Sequence, residues 1–300
     1  MTMRALDIET PRGRFHALAL DGAASLPLLV FQHATGMCAG VYAGLLGGLA
    51  GRARVIALDA RGHGRTGVPD RGECLADWIP FRADLAALIE ALGEGPVLLA
   101  GHSFGATVAA ETAHDRPDLV TALLMIEPAF IPFQHAEAYR EARRAGQNPP
   151  NPMADRAARR RSTFPDLDAV RASFSGRGVF TGWPDAALEA YLAGGTRAAP
   201  GGVALSCTPD CEASVFRSVS TTLENSLRGI ACPVTMVRGT EGSTVTPEDA
   251  AAIAAMGHDV HVLAGGGHFV PVTEAGRVLP FLADLVAGAA PARVQRRAER

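Results

Sequence analysis

The chain has 300 residues, 48% of them hydrophobic, enough to bury a large core near the upper size limit of one domain. Charged residues make up 20% and the formal net charge is −3, which gives no electrostatic footprint for nucleic acid or an anionic membrane. Every Lys/Arg position is arginine, so a lysine Schiff base is excluded as chemistry.

The five cysteines, Cys38, Cys74, Cys207, Cys211 and Cys232, form an odd and scattered set that fits reduced thiols. Cys207 and Cys211 stand four apart, but no histidine or further cysteine lies near them in sequence. That argues against zinc. Residues Met1 to Asp7 hold no apolar signal core, and no uninterrupted apolar stretch is long enough to span a bilayer. The expectation is a cytoplasmic protein with a small-molecule substrate, no metal and no membrane or nucleic-acid partner. Its oligomeric state is not fixed by the sequence.

Strands and helices alternate through the first half. Phe15 to Leu20 reads as an early strand, and Leu28 to His33 as a short apolar run typical of a strand buried on both faces. Val41, Leu45, Leu46 and Leu49 follow at helical spacing. Arg54 to Asp59 is the next strand, and Asp84 to Leu92 a helix ended by Gly93-Glu94-Gly95-Pro96. Val97 to Ala100 starts another strand, and a helical stretch opens at Ala106. Thr121 to Glu127 is a further buried strand, stopped by Pro128. This βαβα rhythm predicts an α/β fold with a mostly parallel sheet and helices on both faces.

From about Pro128 to Arg228 no clear strand is visible. Ala136 to Arg144 and Asp185 to Ala193 look helical, Gln147 to Pro152 is rich in proline, and Arg156 to Arg161 reads as a solvated arginine-rich helix face. A stretch this long is not a loop, so it is taken as a mainly helical insertion over the sheet edge. Alternation resumes with a strand from Pro233 to Arg238, a helix from Pro247 to Met256, and a strand from Val260 to Leu263. The glycine-rich turn Gly265-Gly266-Gly267 and a helix from Glu274 to Val286 follow. The predicted division is a core at 1–127 and 231–290, a helical cap at 128–230, and a frayed tail at 291–300.

The most informative run is Gly101-His102-Ser103-Phe104-Gly105, lying between a buried strand and a helix. Glycines two before and two after Ser103 permit close backbone approach at a sharp strand-to-helix turn. This is the pattern of a nucleophile elbow. A serine so placed needs a base, an orienting acid and an oxyanion pocket. His268 is the candidate base: it follows the last strand and three glycines, at the sheet edge where sites form in open parallel sheets.

Two carboxylates are placed to orient the base. Glu127 ends the strand after the elbow, where an unpaired carboxylate would be costly to bury. Glu241 follows the strand after the insertion. Glu127 is adopted, with Glu241 as the alternative. The N–H of Phe104, directly after the nucleophile, and that of Thr35, in His33-Ala34-Thr35-Gly36, are the expected oxyanion donors.

Together these residues, with Asp59-Ala60-Arg61-Gly62-His63-Gly64-Arg65-Thr66, resemble the α/β-hydrolase superfamily, in its serine hydrolase, esterase/lipase-like branch with a cap. The likeness covers nearly all of the chain outside 128–230. It implies a sheet of about eight strands, with the Asp59 motif as a structural turn and the insertion as a cap lining the substrate site. Serine at 103 departs from the branches that use aspartate there. The family's usual acid position falls on Gly242, whereas some members carry a glutamate at the place of Glu127. The implied activity is hydrolysis of a carboxylic ester, lactone or thioester of a small to medium, mostly apolar substrate, without organic cofactor. The same three residues serve C–C hydrolases, acyltransferases, perhydrolases and lyases on this fold, and a ligand-binding protein with little turnover is the non-enzymatic alternative.

Overall fold

The computed structural model describes residues 3–67, 77–147 and 149–289. Cys74, Asn148 and the tail expected to fray at 291–300 lie outside these residues.

Eight strands form one sheet in the order β1-β2-β4-β3-β5-β6-β10-β11. They are β1 (Arg4–Thr10), β2 (Gly13–Leu20), β3 (Leu28–Gln32), β4 (Arg54–Leu58), β5 (Val97–His102), β6 (Val120–Ile126), β10 (Val234–Glu241) and β11 (Asp259–Gly267). From β4 to β11 every pairing is parallel, and only β2 runs against the rest. Every residue of β3 and β5 is buried, as their mainly apolar sequence requires for strands covered on both faces.

The helices divide over the two faces. Ile79–Leu92 and Phe104–Asp115 pack with Phe15, Val30, Leu99 and Met125, while Ala275–Ala289 packs with Leu29, Phe31, Leu98 and Ile126 on the other side. The elements place the C-terminal ends of β3, β5, β6, β10 and β11 along one edge, the edge at which parallel sheets carry their sites.

Several sequence expectations are corrected. β1 was not anticipated: it is an edge strand with Ile8 as its one buried residue, so little apolar alternation is needed. The helical region with Val41 to Leu49 is divided into short contiguous segments, Ala39–Tyr42, Ala43–Leu46 and Gly47–Leu49, the first and last of them 3-10 helix. The three glycines 265 to 267 are not a free turn. β11 runs through them, with an irregularity in register opposite Gly239 to Glu241 and Gly265 at φ +71°.

The stretch between β6 and β10 is helical over Phe133–Arg144, Pro152–Ala158, Leu167–Phe174, Asp185–Gly195, Pro209–Arg217 and Leu223–Gly229. It also holds strands that the sequence reading left out: β7 (Thr163–Phe164), β8 (Thr196–Ala199) and β9 (Gly202–Leu205), paired as an antiparallel sheet in the order β7-β9-β8. Such strands are too short for an alternating pattern to register. Phe174, Phe180, Trp183 and Tyr191 pack together within this stretch and continue the hydrophobic cluster that holds Leu29, Phe31 and Ile126 of the sheet. The stretch is tied to the sheet domain by Trp78 Nε1–H donating to the Val215 carbonyl (3.1 Å) and by Arg65 Nη2 donating to that of Ala193 (3.0 Å).

Candidate active site

β5 delivers Ser103 to the sheet edge, and the helix Phe104–Asp115 begins at the next residue. Ser103 has φ +56° and ψ −122°, a conformation that an L-residue adopts only where surroundings enforce it. The enforcement is visible at the two glycines. A Cβ on Gly101 would penetrate the Gly105 backbone, and one on Gly105 would penetrate the carbonyls of Gln32 and His33. Among the described residues, the one other non-glycine with positive φ is Glu127, at +48°.

These two strained residues meet at one histidine. His268 Nε2 lies 3.0 Å from Ser103 Oγ, and His268 Nδ1 lies 3.1 Å from Glu127 Oε2. Glu127 is fully buried directly after β6. Its Oε1 accepts the Gly239 N–H, and its Oε2 also accepts from Ser243 Oγ (2.9 Å) and Thr244 N–H (3.1 Å). Burial pushes the Glu127 carboxyl up, but His268 and these donors outweigh it and hold the group down at about 2. The loop after β10, where the alternative acid stands, supplies donors to Glu127 instead. The Glu241 side chain is exposed, and Gly242 (φ +61°) turns the chain so that Ser243 and Thr244 reach the buried carboxylate.

The turn after β3 is held at both shoulders. Ala34 N–H donates to Tyr42 Oη (3.1 Å) and Gly36 N–H to His63 Nε2 (3.0 Å), while the Thr35 N–H between them has no acceptor among the described residues. Phe104 N–H starts its helix, where the first amides lack intrahelical partners and the helix dipole is positive.

Two residues were underrated by sequence. Neither His102 nor Tyr42 is assigned a role by the sequence. His102 Nε2 reaches the His268 carbonyl (2.8 Å), an acceptor only, so Nε2 carries the proton and Nδ1 accepts from Tyr42 Oη (2.7 Å). Burial pushes His102 down to about 3, in keeping with a neutral ring. His63, read as structural, does brace the Gly36 turn. Its ring also lies 3.3 Å from Cys207 Sγ, so the premise that no histidine stands near Cys207 and Cys211 does not hold in three dimensions.

Asp59 anchors its own turn through His16 Nδ1 (2.8 Å), Ala39 N–H (2.7 Å) and Arg65 N–H (2.9 Å). In the arginine-rich run, Arg160 is not solvated as expected. It is half-buried and pairs with Glu212 at 2.9 Å.

Ser103 and His268 open onto a cavity of about 440 Å³. Met37, Trp78, Phe130, Ile131, Phe216 and Phe269 give it an apolar wall. Thr35, Thr244, Asn151 and Glu212 are its other polar residues, and no arginine is among the described lining residues. Of the aromatics between β6 and β10, Phe130 and Phe216 reach this cavity, whereas Phe164, Phe180 and Tyr191 are buried in packing with the half-buried Phe174.

An eight-stranded sheet of this order, with a strained serine at the β5 turn facing a histidine after the last strand, defines the α/β-hydrolase fold. The chain belongs to the alpha/beta hydrolase family, whose model matches residues 28–280. It is 29% identical over 246 residues to 2-(acetamidomethylene)succinate hydrolase of Mesorhizobium japonicum, covering 81% of this chain and 82% of that protein. Over 81 residues it is 41% identical to the lipase LipV of Mycobacterium tuberculosis, covering 25% and 27% of the two chains. The crystal structure of E-2-(acetamidomethylene)succinate hydrolase superposes with a TM-score of 0.77 at 24% identity, over 95% of this chain and 99% of that one. Among the described residues, no helix is long and apolar enough to cross a membrane.

Proposed function

We propose that the protein is a serine hydrolase that cleaves a carboxylic ester, or a lactone or thioester, of a small to medium and mostly apolar substrate. The observation that carries the reading is the line from Ser103 Oγ through both nitrogens of His268 to Glu127, opening onto an apolar cavity. In it, residues 128–230 act as a cap over the site, contributing Phe130, Ile131, Met153, Val179 and Phe216 to the wall.

Glu127 accepts the Nδ1–H of His268 and so leaves the Nε2 lone pair facing Ser103 Oγ. His268 takes the Ser103 proton as Oγ attacks the substrate carbonyl. The Thr35 and Phe104 N–H groups receive the oxyanion. His268 then passes the proton to the leaving group, and water repeats the sequence on the acyl-enzyme. No step calls for a metal or organic cofactor.

The cavity narrows the substrate class. The similar Mesorhizobium protein is named for a succinate derivative. Here the described wall offers a carboxylate, Glu212, and no arginine to receive two carboxylates. The substrate is therefore read as uncharged around its acyl group. The test is turnover of neutral p-nitrophenyl esters of two to eight carbons beside the p-nitrophenyl half-ester of succinate. Turnover of the neutral series that disappears in Ser103→Ala supports the reading. Activity that survives Ser103→Ala, or that favours the succinate half-ester, contradicts it.

A further inference from the structure

Behind the cavity wall at Glu212 lies a cluster that the hydrolase chemistry does not use. Cys207 precedes the helix Pro209–Arg217 and Cys211 lies in its first turn, where the Thr208 side chain accepts the Cys211 N–H at 3.2 Å. Both thiols face His63, from the turn after β4. The two Sγ atoms and a ring nitrogen of His63 all lie within 4.8 Å of one another, and all three residues are buried. Cys207 Sγ is 3.3 Å from His63 Nε2. A tetrahedral zinc site, with Zn–S of about 2.3 Å and Zn–N of about 2.0 Å, sets ligand separations of roughly 3.5–3.8 Å. The cluster is therefore within small side-chain adjustments of ligand spacing, and closing on an ion also displaces the Gly36 N–H that donates to His63 Nε2.

The ring is also oriented as a ligand. His63 Nδ1–H donates to the Arg61 carbonyl at 2.9 Å, the outer contact typical of metal-binding histidines, and this leaves Nε2 unprotonated, where it accepts the Gly36 N–H at 3.0 Å beside the Cys207 thiol. Glu212, next along the helix from Cys211, has an Oε2 that forms no hydrogen bond although Arg160 Nη2 is 2.9 Å away.

We propose that His63, Cys207 and Cys211 bind one soft divalent cation such as Zn²⁺, and that binding slows the hydrolase site by taking the Nε2 lone pair from the Gly36 N–H. Binding releases the two thiol protons. The Gly36 N–H then loses its acceptor, and the turn carrying Thr35 loses one of its two shoulders. The binding half of the proposal stands on the cluster alone; the slowing half rests on the serine hydrolase reading.

The test uses reduced full-length protein under anaerobic conditions. Co²⁺ is titrated while thiolate-to-cobalt charge-transfer absorbance is followed, and Zn²⁺ retained after dialysis is counted by metal analysis. One equivalent of either metal is expected, with loss of both signals in a Cys207→Ser/Cys211→Ser variant whose circular dichroism matches wild type. Absence of a charge-transfer band, or an equal band in the variant, overturns the site. Labelling by a fluorophosphonate is then timed with and without one equivalent of Zn²⁺. A several-fold slowing in wild type that is absent in the variant supports the coupling, and an unchanged rate on a metal-loaded protein overturns it. If metal-free wild type takes no label at all, the hydrolase reading fails while the metal result stands.

Discussion

The Nε2–H of His102 donates to the backbone carbonyl of His268 at 2.8 Å, and the other ring nitrogen of His102 faces Tyr42 Oη at 2.7 Å. Tyr42 in turn accepts the N–H of Ala34, next to Thr35. One directed chain of hydrogen bonds thus joins the loop of the proposed base, the turn of the proposed nucleophile and the proposed oxyanion turn. The residues are distant in sequence but share the edge made by β3, β5 and β11.

Tyr42→Phe cuts this chain at its centre. The buried Ala34 N–H loses its acceptor and His102 loses its donor, a change that costs about 1–3 kcal/mol of stability. If Tyr42 positions the reacting groups, kcat on a neutral ester falls by about tenfold while KM changes little. Urea denaturation and steady-state kinetics on the same preparation read both. An unchanged kcat in a folded but destabilised variant would leave Tyr42 a packing residue only.

The two candidate acids separate cleanly by mutation. Glu127→Gln keeps shape but presents an amide to His268, and a drop in kcat of about 10²–10⁴ is expected. Glu241→Gln, at an exposed position, should stay within about twofold of wild type. Comparable losses in both would reject the assignment of Glu127.

Glu127 also makes an acid-stability prediction. Its folded pKa of about 2 lies below that of an unfolded glutamate near 4.3. In this window the unfolded state binds more protons, so the carboxylate's stabilisation is complete above the unfolded value and is lost as pH falls through about 4 to 2. Thermal denaturation of Glu127→Gln should show a shallower fall in Tm from pH 5 to pH 2 than wild type. A parallel fall would contradict the buried, donor-rich setting of this group.

Glu212 has the opposite sign. Burial raises its carboxyl to about 7, against the pull of Arg160. The folded state therefore binds more protons than the unfolded one between about 4.3 and 7, and stability declines as pH rises through that range. Glu212→Gln should gain Tm relative to wild type at pH 8 compared with pH 5. A difference independent of pH would mean that Glu212 stays ionised throughout.

Much of the site was legible because local backbone demands leave a local imprint. Glycine at 105 is needed where the end of β3 approaches the turn and glycine at 101 where the turn folds back on Gly105, and a glutamate abruptly following the apolar β6 has to find donors. Other features had no local imprint. Tyr42 looks like any apolar helix residue, and its partner His102 lies 60 positions away. His63 and Cys207 are separated by 144 positions, so no spacing rule could join them. The strands β7, β8 and β9 are two to four residues long and show no alternation to detect.

The central claim is that Ser103 is an activated nucleophile driven by His268, and intact-mass analysis after incubation with a fluorophosphonate tests it most directly. A single adduct on wild type, absent from both Ser103→Ala and His268→Ala, is the expected result. Folded wild type that takes no adduct, or an adduct that persists in Ser103→Ala, would contradict the account.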